Sequence, residues 1–162
     1  MFMWLFQKKK FDPSLDEIRE NGWYGFVYLI TSGIDNRMYI GKKFFYSKIT
    51  RPPLKGKKCK RHELKESNWR DYWSSSKIVN SLVEEHGKEN FTREIISLHP
   101  NKQETNYHEL RAQILFDVLD SRNKNGERLF LNENIERKYY PSEKFRDERC
   151  NLFEDYIARI IN

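Results

Sequence analysis

The pattern of hydrophobic positions is clearest between residues 25 and 43, where two apolar runs flank a polar turn. Phe26 to Ile30 is a continuous run of β-branched and aromatic residues, and Met38 to Ile40 is a second, shorter run. Between them, Ser32-Gly33 and Asp35-Asn36 are residue types that favour turns. This stretch therefore predicts a β-hairpin with a loop a few residues long.

A helix and a third strand are predicted after this hairpin. Ser74 to Ser76 can cap a helix that continues to Glu85 and stops at His86-Gly87. Phe91 to Leu98 predicts a third strand, which ends before Pro100-Asn101. The inward-facing positions expected in the helix are Ile78, Val79 and Leu82.

Two helices are predicted toward the C-terminus. One extends from about Glu104 to Leu119, and the other begins beyond Pro141, where Ser142 can act as its cap. Their apolar positions are Leu110, Ile114 and Val118 in the first, and Leu152, Phe153, Tyr156, Ile157 and Ile160 in the second. The apolar stripe of the second helix can pack on its own domain or on another subunit.

These elements indicate an α+β fold class, with a small, three-stranded, mainly antiparallel sheet flanked by helices and followed by a C-terminal helix. We divide the chain into a lead-in over residues 1–24, a central domain over residues 25–136 and a helical extension over residues 137–162. The lead-in contains a predicted short helix from Pro13-Ser14 to Arg19. Residues 44–68 have no hydrophobic period and are expected to form a long basic loop within a basic region spanning 42–70.

The charge is concentrated in that basic region. The chain of 162 residues has a formal charge of +6, yet eleven Lys or Arg lie between Lys42 and Arg70, against only Glu63 and Glu66. Aromatic residues lie at both ends of the region, which suits phosphate neutralisation combined with stacking on bases. The pattern favours a nucleic-acid partner, and the alternative is a solvated basic loop with no partner.

Other features narrow the class of protein. No apolar run approaches the roughly 20 residues needed to span a bilayer, so no membrane partner is expected. The six N-terminal residues are apolar, but Lys8 to Lys10 follow them instead of preceding them, unlike a secretory signal. Cys59 and Cys150 lie far apart and lack metal-ligand spacing, so a reducing cytoplasm is the expected compartment.

The hairpin and the segments after it resemble the GIY-YIG endonuclease family. Phe26-Val27-Tyr28 stands where the first motif of the family would be, and Tyr39-Ile40-Gly41 matches the second motif in residue type. The resemblance is closer to a subgroup often encoded by bacteriophages and described as homing-type endonucleases, which would place the protein in a bacterial host's cytoplasm. The matching stretches are Tyr39-Ile-Gly-Lys-Lys-Phe, Pro52-Pro-Leu-Lys-Gly-Lys-Lys, Glu66-Ser-Asn-Trp-Arg-Asp-Tyr and Asn106-Tyr-His-Glu109.

The resemblance implies a role for each of five residues. Tyr28 is similar to the tyrosine that acts as general base or positions the attacking water, and Tyr39 is similar to its companion. Glu109 is similar to the acid that holds one divalent metal, Mg²⁺ or Mn²⁺, with no small-molecule cofactor. Arg61 is expected to steady the phosphate, with Arg51 and Arg70 as alternatives. Asn132, with Asn134 as alternative, is expected to order the active-site network.

The chemistry of phosphodiester hydrolysis agrees with this set. A single carboxylate, water and substrate oxygens suffice to hold Mg²⁺, which supplies Lewis acidity. A tyrosine with an ordinary pKa of about 10 is a poor base at neutral pH unless cations depress that pKa, and Lys42 and Lys43 are placed in sequence to do so. The residues predicted to contact DNA are Lys42, Lys43, Lys55, Lys57, Lys58, Lys60 and Arg70.

The sequence also departs from the family pattern. Phe26 replaces the glycine of the first motif, no histidine stands near Ser74 to Ser76, and the loop from Ser121 to Arg128 lengthens the gap between Glu109 and Asn132. From composition alone, Tyr28 and Tyr39 could be core residues and Glu109 an ordinary surface acid.

From the resemblance we expect a metal-dependent DNA endonuclease, and the alternative is a nucleic-acid-binding protein without catalysis. Neither the target sequence nor the oligomeric state follows from the residues.

Overall fold

The computed structural model describes residues 3–56 and 58–141 of the chain. Its strands are β1 (Trp4–Phe6), β2 (Lys9–Phe11), β3 (Gly25–Ser32), β4 (Met38–Phe44), β5 (Tyr46–Arg51), β6 (Arg61–Glu66) and β7 (Phe91–His99). Its helices are α1 (Leu15–Glu20), α2 (Lys77–His86) and α3 (Lys102–Leu115), with a short 3₁₀ turn at Lys88–Asn90. The predicted C-terminal helix after Pro141 lies outside the described residues.

The central strand of the main sheet is β3, which pairs antiparallel with β4 on one side and with β7 on the other. The predicted hairpin and third strand are thus confirmed, and the α+β fold class with them. Phe26, Tyr28 and Ile30 point to one face of the sheet and Val27 to the other, and all four are essentially inaccessible to solvent. Burial on both faces explains why this strand is a continuous apolar run instead of an alternating one.

The lead-in adds two strands that the sequence did not predict. The strand order of the main sheet is β2-β1-β7-β3-β4, with β1 parallel to β7 and β2 antiparallel to β1 at the edge. The turn between β1 and β2 places Gln7 and Lys8 at φ values of 51° and 65°. Glycine and asparagine usually mark such turns, and because neither is present, the sequence carries no hairpin signal here.

The segment predicted as a long loop contains a second β-hairpin. Strands β5 and β6 pair antiparallel over six residue pairs, from Tyr46 opposite Glu66 to Arg51 opposite Arg61, and form a separate two-stranded sheet. Most side chains of this hairpin are exposed on both faces. A strand that buries neither face needs no alternation of apolar and polar residues, so the pattern could not reveal it.

The predicted helix caps are confirmed. Ser14 and Glu17 form a reciprocal capping box at the start of α1, and Ser76 caps α2, which ends at Gly87 with a φ of 83°. These caps provide partners for backbone groups that the first or last helical turn leaves unpaired.

The predicted inward positions of α3 and α2 are partly wrong. Helix α3 ends at Leu115 and not at Leu119, and Ile114 is 60% exposed because Gln113 takes the inward position beside it. Ile78 in α2 is likewise 39% exposed, whereas Val83 is buried. The other predicted positions, Val79 and Leu82 in α2 and Leu110 in α3, pack against the core as expected.

Apolar side chains cover both faces of the main sheet. On one face lie Trp4, Phe26, Tyr28, Phe45, Trp69 and Val79, and on the other lie Val27, Ile40, Val118, Phe130 and Leu110. Among the described residues, no helix is both long and apolar enough to cross a membrane. Cys59 is exposed and forms no disulfide, and Cys150 lies outside the described residues.

Candidate active site

A cleft of about 310 Å³ opens between β4, the middle of α3 and the segment that follows Leu131. Four of its lining residues were predicted as site residues from the sequence: Tyr39, Lys42, Glu109 and Asn132. The others are Ser75, Ser76, Gln113, Glu133, Asn134, Glu136 and Arg137. The fold therefore gathers residues more than 90 positions apart in sequence around one concave surface.

The two motif tyrosines meet at Gly41. Tyr28 on β3 pairs directly with Gly41 on β4, and the ring centroids of Tyr28 and Tyr39 are 6.3 Å apart. A Cβ atom at position 41 would lie 2.6 Å from the Tyr28 hydroxyl oxygen and 2.9 Å from Cε1 of Tyr39. Glycine is thus required at position 41 because both phenol rings occupy the space of a side chain.

The hydroxyl of Tyr28 is buried, and no described group meets it with hydrogen-bond geometry, although Tyr72 and Ser74 are near enough to influence its pKa. Burial raises the pKa of Tyr28 well above its usual value, and the neighbouring Tyr39 and Tyr72 raise it further. The phenol therefore keeps its proton at neutral pH. An unpaired buried hydroxyl costs about 1–3 kcal/mol, so its retention needs an explanation.

The expectation that Lys42 and Lys43 lower the pKa of a motif tyrosine is wrong for Tyr28. Lys42 instead forms an ion pair with Glu109, and Lys43 donates to the Asn68 side-chain oxygen at 2.7 Å. The Lys43 ammonium also lies 4.0 Å from the centre of the Tyr72 ring. The two lysines have different partners because adjacent residues of β4 point to opposite faces of the sheet.

Glu109 lies on the side of α3 that faces β4. Its side chain is only 16% exposed, and burial raises its pKa, while the ion pair with Lys42 opposes that rise. The carboxylate of Glu136 raises the pKa of Glu109 further. Glu109 is therefore a desolvated carboxylate in a cleft, and the alternative of an ordinary surface acid does not describe it.

Asn132 ties the late segment to the centre of β4. Its Oδ1 accepts from the Ile40 amide at 3.1 Å, and its Nδ2 donates to the Ile40 carbonyl at 2.8 Å. Since Ile40 lies between Tyr39 and Gly41, Asn132 positions the second motif. Leu129 and Leu131 extend the same contact through backbone bonds to Met38 at 2.8 and 2.7 Å.

We expect Asn132→Ala to destabilise the fold. The substitution removes the side-chain acceptor of the buried Ile40 amide, at a cost of about 1–3 kcal/mol for the group left unpaired. The Ile40 carbonyl keeps a longer bond from Gln113 Nε2 at 3.4 Å. Thermal unfolding should show the loss, and Asn134→Ala, which removes only an exposed bond from the Arg137 amide, is the control. Equal melting temperatures for Asn132→Ala and the parent would contradict this role.

The structure does not bring Arg61 to the cleft. Arg61 lies at the first position of β6, opposite Arg51 at the far end of the exposed hairpin. Arg70 is held at the protein surface by Asp12, by Glu66 and by the Pro13 carbonyl at 2.7 Å. The arginine that lines the cleft is Arg137, which lies in a part of the chain where no sequence motif pointed to it.

The predicted DNA-contacting lysines fall into two groups. Lys42 lines the cleft, and Lys43, the next residue of β4, contacts Asn68 and Tyr72. Lys55, Lys58 and Lys60 lie exposed in the turn between β5 and β6, and Lys57 is outside the described residues. The basic region is therefore divided between the edge of the cleft and a projecting hairpin.

The sequence missed Tyr72, which lies beside Tyr28 with ring centroids 6.2 Å apart. Arg93 on β7 fixes the segment that carries Tyr72, because its guanidinium donates to the Tyr72 carbonyl at 2.7 Å and lies between the rings of Trp4 and Trp73. Burial lowers the pKa of Arg93 to about 10, so the side chain remains charged at neutral pH. Tyr72 ends the matching stretch Glu66-Ser-Asn-Trp-Arg-Asp-Tyr, but no role followed from that stretch, since the contacts of Tyr72 are with residues distant in sequence.

The residues of the cleft fit a single divalent ion. Among the described residues, no group of three or more His, Cys, Asp or Glu has the arrangement of a closed metal site. Glu109 is a desolvated carboxylate of the cleft, and Gln113 and Asn134 line the same cleft, so these residues would offer Mg²⁺ an open, oxygen-rich donor set for water and phosphate to complete.

A comparison with protein families matches residues 4–135 to the family described as "Putative endonuclease segE, GIY-YIG domain". The match covers most of the chain, so the protein belongs to this GIY-YIG family. The predicted resemblance is thereby confirmed, and with it a nuclease-type domain of α+β fold. Comparisons with curated proteins and with solved structures found no match.

Proposed function

We propose that the protein is a metal-dependent DNA endonuclease that hydrolyses phosphodiester bonds in the cleft. The observation that carries this proposal is that Tyr39, Glu109 and Asn132, from three separate segments of the chain, line one cleft. Tyr28 meets Tyr39 at Gly41. A core that needed only to fold would require neither an unpaired buried hydroxyl at Gly41 nor a desolvated carboxylate in a cleft lined by Tyr39.

Each group has a role that its environment supports. Glu109 would hold the divalent ion, Mg²⁺ or Mn²⁺, and the ion would supply charge stabilisation at the phosphoryl oxygens. The protonated Tyr28 phenol is suited to orient water or a phosphate oxygen by hydrogen bonding, and this favours the positioning role over the general base. Arg137 and the N-terminus of α2 at Ser76 face the same cleft and attract a phosphate group.

A nucleic-acid-binding protein without catalysis is the second candidate. The ion pair between Lys42 and Glu109 favours it, because a metal ion must displace the lysine ammonium from the carboxylate. If catalysis occurs, the Lys42 side chain, which is 31% exposed, has room to turn toward the phosphate.

The deciding experiment is nicking of supercoiled plasmid by the purified chain. We expect nicked product with Mg²⁺ or Mn²⁺ and none with EDTA, together with saturable Mn²⁺ binding by calorimetry in the absence of DNA. DNA binding without nicking at any divalent-metal concentration would overturn the endonuclease proposal and support the second candidate.

A further inference from the structure

The hairpin of β5 and β6 stands apart from the main sheet. It joins the domain at its root, where the Ser67 amide donates to the Phe45 carbonyl at 2.8 Å and the rings of Tyr24 and Tyr46 lie 6.1 Å apart. Beyond the root its side chains are exposed, except for the half-buried Ile49. A two-stranded ribbon without a buried face is marginally stable alone, so its regular pairing calls for a functional explanation.

The charge of the hairpin is nearly all of one sign. Residues 47–65 contain eight Lys or Arg and one acid, Glu63. The pairing register places Arg51 directly opposite Arg61, and like charges at such positions are destabilising. Glu63 pairs with Arg51 and offsets part of this cost, but it is one acid against the eight basic residues of this segment. The arrangement becomes favourable when a polyanion lies against it.

The shape of the hairpin selects among polyanions. Six residue pairs extend over roughly 20 Å, and the two strands are about 5 Å apart. The major groove of B-form DNA, about 12 Å wide, admits a two-stranded ribbon without distortion, whereas the minor groove, about 6 Å wide, admits one only when the DNA is bent or widened. Single-stranded nucleic acid is bound by aromatic stacking, and residues 47–65 contain no Phe, Tyr or Trp.

We propose that the β5–β6 hairpin enters the major groove of double-stranded DNA and determines where the chain binds. This inference rests on the proposed function only in taking DNA as the substrate. The face of the hairpin that carries Arg51, Arg61 and Glu63 meets the base edges, since arginine pairs with guanine O6 and N7. Lys55, Lys58 and Lys60 in the turn neutralise the flanking phosphates. Arg61 accordingly contacts DNA away from the scissile bond.

The test measures binding in EDTA, so that no catalysis is required. Fluorescence anisotropy compares a short DNA duplex with its single strand and with an RNA duplex of the same sequence, whose major groove is too narrow for the hairpin. We expect the DNA duplex to bind more tightly than both. We also expect the bound chain to protect guanine N7, a major-groove atom, from methylation.

Substitutions distinguish the phosphate contacts of the turn lysines from the base contacts of Arg61. The triple variant K55A/K58A/K60A should reduce the log-log salt slope by about 0.9 for each phosphate contact removed. The charge-matched triple variant K9A/K102A/K124A, which changes exposed lysines outside the hairpin, should leave the slope unchanged. R61A should lose guanine N7 protection while keeping most of the salt slope.

Two outcomes overturn the proposal: tighter binding to single strands or to RNA, or unchanged N7 reactivity in the complex. A chain that protects N7 but never nicks plasmid would refute the endonuclease and leave this inference standing. Normal nicking by the K55A/K58A/K60A variant, together with no N7 protection by the parent chain, would refute this inference and leave the endonuclease proposal standing.

Discussion

Glu109→Gln should abolish cleavage while leaving the fold and DNA binding in place. The substitution removes the carboxylate that would hold the metal, and metal ions supply several kcal/mol of transition-state stabilisation. The rate of plasmid nicking should fall by about 10²-fold or more. The free energy of unfolding should change little. The ion pair with Lys42 is lost, but so is the cost of burying the negative charge of Glu109, which raises the pKa of that residue.

The matched control is Glu133→Gln, which removes the same charge from an exposed residue of the same cleft. Glu133→Gln should nick plasmid and bind Mn²⁺ as the parent does, and Glu109→Gln should do neither. DNA binding in EDTA should be as tight or tighter for Glu109→Gln, since one negative charge leaves a site that faces a polyanion. Nicking at the parental rate by Glu109→Gln would refute the assignment.

Tyr28→Phe should give a protein that is as stable as the parent, or more stable, and inactive. The phenylalanine ring keeps the contacts with Trp4 and Phe26, and the change removes a buried hydroxyl that lacks a described hydrogen-bond partner. Relief of that unpaired group is worth up to about 1–3 kcal/mol. If the hydroxyl orients the water or the phosphate, the nicking rate should fall by about 10²–10⁴-fold.

Tyr46→Phe provides the comparison, because its hydroxyl is also buried without a described partner but lies at the root of the hairpin, outside the cleft. Both variants should keep or raise the melting temperature, and only Tyr28→Phe should lose cleavage. A clear loss of stability in Tyr28→Phe would indicate a structural hydroxyl. Cleavage at the parental rate would indicate that Tyr28 is a core residue without a role in catalysis.

The parts of the fold that sequence reasoning predicted are those where local chemistry and burial agree. The apolar run of β3, the turn residues before β4 and the serine caps of α1 and α2 each depend on residues within a few positions of one another. The same holds for Gly41, because the motif residues next to it in sequence indicate that another group approaches its backbone closely. Such signals depend on backbone propensity and burial pattern and need no knowledge of distant partners.

Other elements could not be predicted, because their stabilising contacts are distant in sequence. Strand β1 forms by pairing with β7, and Trp4 is held by a hydrogen bond of 2.8 Å to the Trp69 carbonyl, 65 residues away. The β5–β6 hairpin buries too little to leave an apolar period. The end of α3 at Leu115, which exposes Ile114, is set by packing in three dimensions that a helical period does not contain.

The residue types of the candidate site were determined by the sequence, and their arrangement was decided by the tertiary structure. Tyr28, Tyr39, Glu109 and Asn132 were named from motifs. That Lys42 neutralises Glu109, that Asn132 holds the backbone of Ile40, and that Arg61 lies far along a hairpin depend on how β4 meets α3 and the late segment. The physical reason is that charge pairing and desolvation act through space, so they follow the packing of the elements and not the spacing of the residues.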